Sequence, residues 1–405
     1  MLNANYNKNA CVPEHDKDVG IYVHIPFCLK KCNYCNFFSI IASPSLKNDF
    51  IKALLNEIKV SSLYHHCKFD TLYIGGGTPS VLPSYNIEQI VDSFNLHHSF
   101  CFNPEITLEI NPGTVCLNQL KDYRKAGINR LNIGVQSFEE NNLNFLGRIH
   151  CKKRAVDTIV NARKAGFINI GIDLIYALPG QTEKSWIIDL QTAVKFEPEH
   201  ISCYMLTYEK GTKMTQEKNK GVFLPLSESK AGKLFEITTD FLEANGYIWY
   251  EISNYAKAES GSSGFNNFKD NKSVHNQKYW SNIPYLGFGP SAHSFVAPVR
   301  YWNISCVAKY IDKIYAGKMP VAGKEVLSKE QLIMEAVFLG LRKREGINIQ
   351  LFNKRFDTSF NKKFKEKVTY LVEQGFILCN KNFCKLTRKG FLFHDSITVI
   401  LTDEI

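Results

Sequence analysis

No run of apolar residues in this 405-residue chain approaches the roughly 18 needed to span a bilayer, so no transmembrane segment is expected. The first twenty residues, MLNANYNKNACVPEHDKDVG, contain no apolar h-region, and no secretory signal is expected from them. A phosphate-cradling signature is also missing. The one glycine-rich loop, Gly75-Gly76-Gly77-Thr78-Pro79-Ser80, lacks both the Gly-x-Gly-x-x-Gly order and the Lys-Ser/Thr of a P-loop, which leaves a nucleoside triphosphate site unsupported. No basic recognition helix stands out, and nucleic acid is not an expected partner. The net charge of +10 comes from dispersed lysines and reads as solvated surface. Nor do the twelve cysteines form a disulfide framework. Nine are scattered, most in apolar contexts where reduced cysteine packs as a small hydrophobe. That usage points to a reducing cytosol.

The other three cysteines are concentrated in Gly20–Phe38, GIYVHIPFCLKKCNYCNFF, where Cys28, Cys32 and Cys35 follow an apolar run with spacing C-x3-C-x2-C. A zinc site usually shows a second ligand pair, and none follows at short range. A disulfide leaves one cysteine unexplained. The pattern suits a cuboidal 4Fe-4S cluster, which normally takes four thiolates. Three leave one iron open to another ligand.

Downstream, apolar β-runs and helical periodicity alternate. Strands are expected at Gly20–Ile25, Phe69–Ile74, Glu105–Ile110, Arg130–Val135, Ile168–Ile175 and His200–Leu206, each followed by a helix. Six such units predict an α/β fold with a parallel sheet. Glu109, Gln136 and Asp173 fall near the C-terminal ends of strands three to five, with the glycine loop just past strand two and the cysteines just past strand one. Contributions from five strands at one end favour a partial (β/α)6 TIM-like barrel over a doubly wound sheet, which gathers its contacts at one crevice. Tyr247–Ser253 reads as one more strand, followed by a polar loop, Ala258–Ser273. From about Lys329, helices and then a small hairpin suggest a winged-helix-like C-terminal domain. The expected divisions are a polar extension at 1–19, the barrel at 20–255, a connecting region at 256–325 and the C-terminal domain at 326–405.

Taken singly, the polar residues are ambiguous. Glu109 in a β-run either pairs with a core cation or accepts hydrogen bonds from a ligand; Gln136 and Asp173 pose the same question. Arg148 either anchors a ligand carboxylate through its planar fork or satisfies one of these acids. The glycines either bring backbone N–H groups up to an anion or form a tight turn. Their convergence at one barrel end favours a site.

The ordered motifs HIPFCxxxCxYCxF, GGGTPS, E-x-N-P, NRLNIGVQSF, LGRIH, IDLIYALPGQT, YEISNYA and GPSAHS resemble the radical S-adenosylmethionine (radical SAM) superfamily. Within it they are similar to anaerobic coproporphyrinogen oxidases and HemW-type haem chaperones. The resemblance implies cluster ligation by Cys28, Cys32 and Cys35, with SAM chelating the fourth iron. It also implies a cofactor pocket formed by Tyr22, Tyr34, Gly76, Gly77, Thr78, Glu109, Gln136, Arg148 and Asp173. The oxidases carry a further cysteine where this chain has Phe37, and the chaperones carry the H-N-x-x-Y-W motif found here at His275–Trp280. The chaperone branch is therefore expected, with haem as a further ligand, His275 as candidate haem ligand, and haem-acceptor proteins at the inner membrane face as partners. Oxygen-independent coproporphyrinogen III decarboxylation is the alternative, so enzyme status stays open. A homodimer is compatible with the sequence, as is a cytoplasmic protein peripherally associated with a membrane.

Overall fold

The computed structural model of the chain describes residues 19–61, 67–258 and 271–403. Nearly all of the polar N-terminal extension, residues 62–66, most of the Gly/Ser/Asn-rich loop and residues 404–405 lie outside the described residues. The first strand, β1 (Val19–Ile25), shows how sequence sets the layers. Ile21, Val23 and Ile25 are fully buried and alternate with Tyr22 and His24 on the other face. The apolar face packs under helix Pro44–Val60, where Phe27 meets Phe50 edge-on with centroids 5.1 Å apart. Ser43 caps that helix by accepting from the Leu46 N–H, with Pro44 in the first turn. Its Phe50, Ile51 and Leu54 are buried, each stabilising by about 1.5–3 kcal/mol.

The parallel series continues through β2 (Lys68–Gly76), β3 (Ser99–Ile110), β4 (Arg130–Gln136), β5 (Ile170–Tyr176) and β6 (His200–Met205). The sheet then exceeds the six expected strand–helix units and the one further strand expected at Tyr247–Ser253. Beyond β6, β7 (Tyr247–Glu251) and β8 (Asn254–Lys257) add an antiparallel pair. Beside β1 lies β9 (Tyr285–Phe288), a seventh parallel strand, followed by antiparallel β10 (His293–Val296), β11 (Val299–Asn303) and β12 (Val321–Val326). The resulting sheet has twelve strands in the order β12-β11-β10-β9-β1-β2-β3-β4-β5-β6-β8-β7. Its edges, β12 and β7, do not pair with each other, so the barrel is partial and open.

The glycine-rich turn between β9 and β10 is held from the opposite layer. Glu57, 1% exposed on the first helix, accepts from Gly289 N–H at 2.8 Å, Tyr310 Oη–H at 2.6 Å and Asn303 Nδ2–H at 3.0 Å. Gly289 has φ +88°, and a Cβ there would sit 2.5 Å from the His24 carbonyl oxygen, so only glycine fits. Burial pushes the Glu57 carboxyl up to about 7, against the lowering effect of its three donors. A raised folded-state value means that this proton stabilises the fold fully below about 4.5 and that the contribution is lost as pH rises through about 7. Glu57→Ala strands three buried donors, and roughly 3 kcal/mol or more of stability is expected to go. The urea midpoint checks this, and the loss is larger at pH 5 than at pH 8.

The C-terminal region begins with helix Lys329–Arg342 and forms a separate small domain. A three-stranded sheet, β13 (Ile347–Asn348), β15 (Phe383–Leu386) and β14 (Ile377–Cys379), packs with short helices in the winged-helix manner. The sequence missed both β13 and the closing helix His394–Thr402. The domain sits against the barrel through Trp249 and Phe391, whose rings lie 4.4 Å apart. Ion pairs from Arg388 to Asp240 and Glu243, and from Arg344 to Glu243, flank that contact. No helix among the described residues is long and apolar enough to cross a membrane.

Candidate functional site

At the C-terminal ends of the parallel strands opens a cavity of about 1870 Å³. Cys28, Cys32, Cys35, Tyr34, Gly76, Gly77, Thr78, Glu109, Gln136, Arg148 and Asp173 all line it. Strand ends from five units therefore converge. Tyr22 and His275 are not part of this lining.

The cysteine loop is shaped by contacts that do not involve its sulfurs. The Cys28 N–H bonds the Ile40 carbonyl at 3.0 Å, and Ile40 N–H returns to Pro26 at 2.8 Å. His24 secures the same return through its Nε2, 2.8 Å from the Phe38 carbonyl. Asn33, between two of the cysteines, donates from Nδ2 to the Phe145 carbonyl at 3.0 Å and from its backbone to Leu146 at 3.1 Å. Gly147 follows in the left-handed region, φ +73°, where a Cβ would lie 2.8 Å from the Asn33 carboxamide. That close approach brings the next residue, Arg148, to the cysteines.

Among the described residues Arg148 pairs with no carboxylate, so it does not serve to satisfy one of the strand-end acids. Its guanidinium donates to Asn111 Oδ1 at 2.6 Å, to the Gly134 carbonyl at 2.7 Å and to Cys32 Sγ at 3.4 Å. Asn111, from E-x-N-P, donates in turn to Thr78 Oγ1 at 2.8 Å, and that hydroxyl lies 3.5 Å from Cys28 Sγ. A continuous polar chain thus joins two of the three thiols. Tyr34 stands beside it; burial, then the nearby thiols, hold its phenol well above the ordinary range, against the lowering influence of Arg148. Burial and its neighbours Cys32 and Cys28 push the Cys35 thiol up, against the Phe37 backbone and Lys31.

Of the two readings of the glycine loop, the geometry favours the tight turn. Its N–H groups are already used: Gly76 donates to Glu109 Oε2 at 3.1 Å, Gly77 to the Ile25 carbonyl at 2.8 Å and Thr78 to the Phe27 carbonyl at 2.7 Å. No anion can claim them as folded. The glycines serve close packing instead, because a Cβ on Gly77 would lie 2.7 Å from the Phe27 oxygen. Glu109 has no core cation; its other oxygen accepts from Tyr73 Oη–H at 2.7 Å. Burial raises its carboxyl to about 7, opposed by the Tyr73 bond and reinforced by Asp173. Asp173 accepts from Asn132 Nδ2 at 2.6 Å and is itself raised to about 6, chiefly by burial. Gln136 ends β4 with φ +68°, an uncommon conformation for glutamine of the kind stored at functional sites.

The remaining sequence candidates lie elsewhere. Tyr22 sits deeper in the barrel, its hydroxyl 3.0 Å from His24 Nδ1 and its ring stacked on Tyr73. His275 is 1% exposed at the opposite, N-terminal end of the strands. Its Nδ1 is 2.8 Å from Thr71 Oγ1 and its Nε2 2.8 Å from Tyr279 Oη, so neither nitrogen is free for a metal as folded. Burial, aided by Lys278, lowers its imidazole to about 3. His293 is exposed and stacks on Trp302. Sequence reasoning passed over Asn33, Tyr73 and Asn111, although Asn33 and Asn111 stood inside motifs it had quoted.

The donor set fits an iron–sulfur cluster: three free thiols face one cavity beside a buried guanidinium. Among the described residues, no three His, Cys, Asp or Glu side chains close up tightly enough to hold one metal ion, and a cuboidal cluster spreads its ligands further apart than a single ion does.

Comparison with known proteins agrees with this architecture. The radical SAM superfamily matches residues 22–193, and the HemN C-terminal domain matches residues 327–393. A heme chaperone HemW from Lactococcus lactis is 34% identical over 390 residues, covering 96% of this chain and 99% of that protein. HemW from Bacillus subtilis is 34% identical over 380 residues, covering 93% and 97%. A mitochondrial radical S-adenosyl methionine domain-containing protein 1 from Danio rerio is 28% identical over 410 residues, covering 97% and 89%. Coproporphyrinogen III oxidase (HemN) from Escherichia coli, a radical SAM enzyme, shares the fold with a TM-score of 0.81 at 22% identity, over 98% of this chain and 93% of that one. The chain belongs to the radical SAM superfamily and, within it, to the family of HemW-type heme chaperones.

Proposed function

We propose that this protein is a haem chaperone that binds haem, holds a SAM-associated 4Fe-4S cluster on Cys28, Cys32 and Cys35, and passes haem to acceptor proteins. The observation that carries the reading is the similarity to HemW along nearly the whole chain. The shape of the mouth supports it. Phe37, where the oxidases have a fourth cysteine, is 63% exposed and lines the cavity. A bound cluster of this family supplies one electron to SAM. The chain's own part is to hold the ligands: Thr78 and Arg148 flank the thiols, Glu109 offers a carboxyl to the cofactor's hydroxyls, and buried walls limit water. Delivery would take place in the cytoplasm, at the inner membrane face. Haem iron can reach His275 only if the helix that carries it moves.

The rival reading is oxygen-independent decarboxylation of coproporphyrinogen III, which the shared fold permits. One anaerobically reconstituted preparation decides between them. The chaperone reading expects saturable haem binding and no decarboxylated product with SAM and reductant; product at ordinary turnover rates, or no haem binding, overturns it.

A further inference from the structure

The helix Val274–Trp280 closes the end of the barrel opposite the cysteines. Glu105 of β3 accepts from the N–H groups of Val274 and His275 at 3.1 and 3.0 Å, which satisfies free donors of the first turn. Lys278, only 3% exposed, pairs with Asp70 of β2 at 2.6 Å. The helix is therefore pinned to the two strands that carry the Gly76–Thr78 loop and Glu109.

His275 is held rigidly within this floor by Thr71 on one side and Tyr279 on the other. Its flat face lies under the ring of Tyr73, with centroids 5.1 Å apart and planes 27° apart. Tyr73 then reaches upward: its hydroxyl donates to Glu109, whose second oxygen receives Gly76 N–H. On its other side Tyr73 stacks on Tyr22, with centroids 6.2 Å apart. The imidazole is thus the platform that fixes the height of Tyr73, and with it the orientation of Glu109 and the loop.

We infer that His275 is a positioning residue for the SAM end of the cavity, acting through Tyr73 and Glu109. The inference rests on the proposed cluster and SAM site, and it assigns the helix a task that does not require haem. An imidazole with both nitrogens engaged is a poor free ligand but a good spacer. Without it, Tyr73 can sink towards Thr71 and draw Glu109 away from Gly76. A displacement of that size costs binding and alignment steeply.

The test uses full-length, anaerobically reconstituted protein and reads the EPR spectrum of the reduced cluster during SAM titration, with a haem titration alongside. In the wild type, SAM should perturb the spectrum. His275→Ala should keep the cluster but weaken SAM affinity on the order of tenfold, with an altered SAM-bound signal. His275→Phe, which keeps a flat face, should recover part of that loss. Tyr73→Phe, which leaves the platform in place but removes the hydroxyl, should reproduce the defect. The double variant His275→Ala/Tyr73→Phe should be no worse than the worse single variant, as expected for residues acting in series. An unchanged SAM response in His275→Ala, or strictly additive effects in the double variant, overturns the inference while leaving the proposed function intact. Loss of haem binding with normal SAM binding does the same and returns His275 to the role of haem ligand. A wild-type cluster blind to SAM overturns both readings.

Discussion

Cys32→Ser is expected to abolish the visible absorbance of the reconstituted cluster. Three thiols face the cavity, and a cubane that already has one iron without a protein thiolate cannot readily lose a second ligand. Serine is a near isostere, but its hydroxyl is a far poorer ligand for iron. Cys32 is also the sulfur that meets a guanidinium, 3.4 Å from Arg148. A positive neighbour steadies the negative charge of a thiolate-bound cluster. The loop should nevertheless keep its shape, since Asn33, His24 and the Cys28–Ile40 bond fix it through the backbone. Far-UV circular dichroism of the variant should therefore match wild type while the iron and sulfide content collapses. A full cluster in Cys32→Ser would refute the assignment.

The second large effect is expected at Arg148. Arg148→Ala takes the donor from two part-buried acceptors, Asn111 Oδ1 and the Gly134 carbonyl, and removes the charge beside Cys32. An unsatisfied buried group costs about 1–3 kcal/mol, and both acceptors line the cavity where water can reach them, so a loss of roughly 2 kcal/mol is expected. Chemical denaturation measures it. Freed from Arg148, Asn111 also loses its orientation toward Thr78, and cluster yield should fall with stability. Arg148→Lys should rescue little, because one ammonium cannot replace a planar fork that spans a carboxamide, a carbonyl and a sulfur. Full rescue by lysine would show that charge alone matters there.

Much of this site was legible because its signals are local. Cysteine spacing, a strand running into glycines, and acids at strand ends are each contained in a few residues. What the sequence hid depends on partners far along the chain. Strand β9 is only four residues long and follows a proline, too short for alternation to register, and its place beside β1 is purely tertiary. Glu57 looked like an ordinary polar position on an amphipathic helix, yet its three donors come from residues 289, 303 and 310. The role of the GGGTPS amides stayed open because nothing local reveals that Ile25, Phe27 and Glu109 would claim them. His275 shows the same limit: a motif can mark a residue as important without saying at which end of the barrel it sits.

The seat of the C-terminal domain carries its own consequence. Phe391, Leu392 and His394 form part of the cavity wall, so the domain is a removable panel of the chamber rather than an appendage. Its fastenings differ in kind: exposed ion pairs, the aromatic contact, and a buried seam where Arg342 pairs with Glu251 and backbone bonds join residues 342 and 344 to 252 and 250. The exposed pairs of Arg388 and Arg344 contribute roughly 0–1 kcal/mol each and fade as salt rises. The contact of Trp249 with Phe391 is apolar and is not weakened by screening. Raising ionic strength therefore strips the exposed pairs from this wall of the chamber, while the aromatic contact and the buried Arg342–Glu251 seam keep the panel seated.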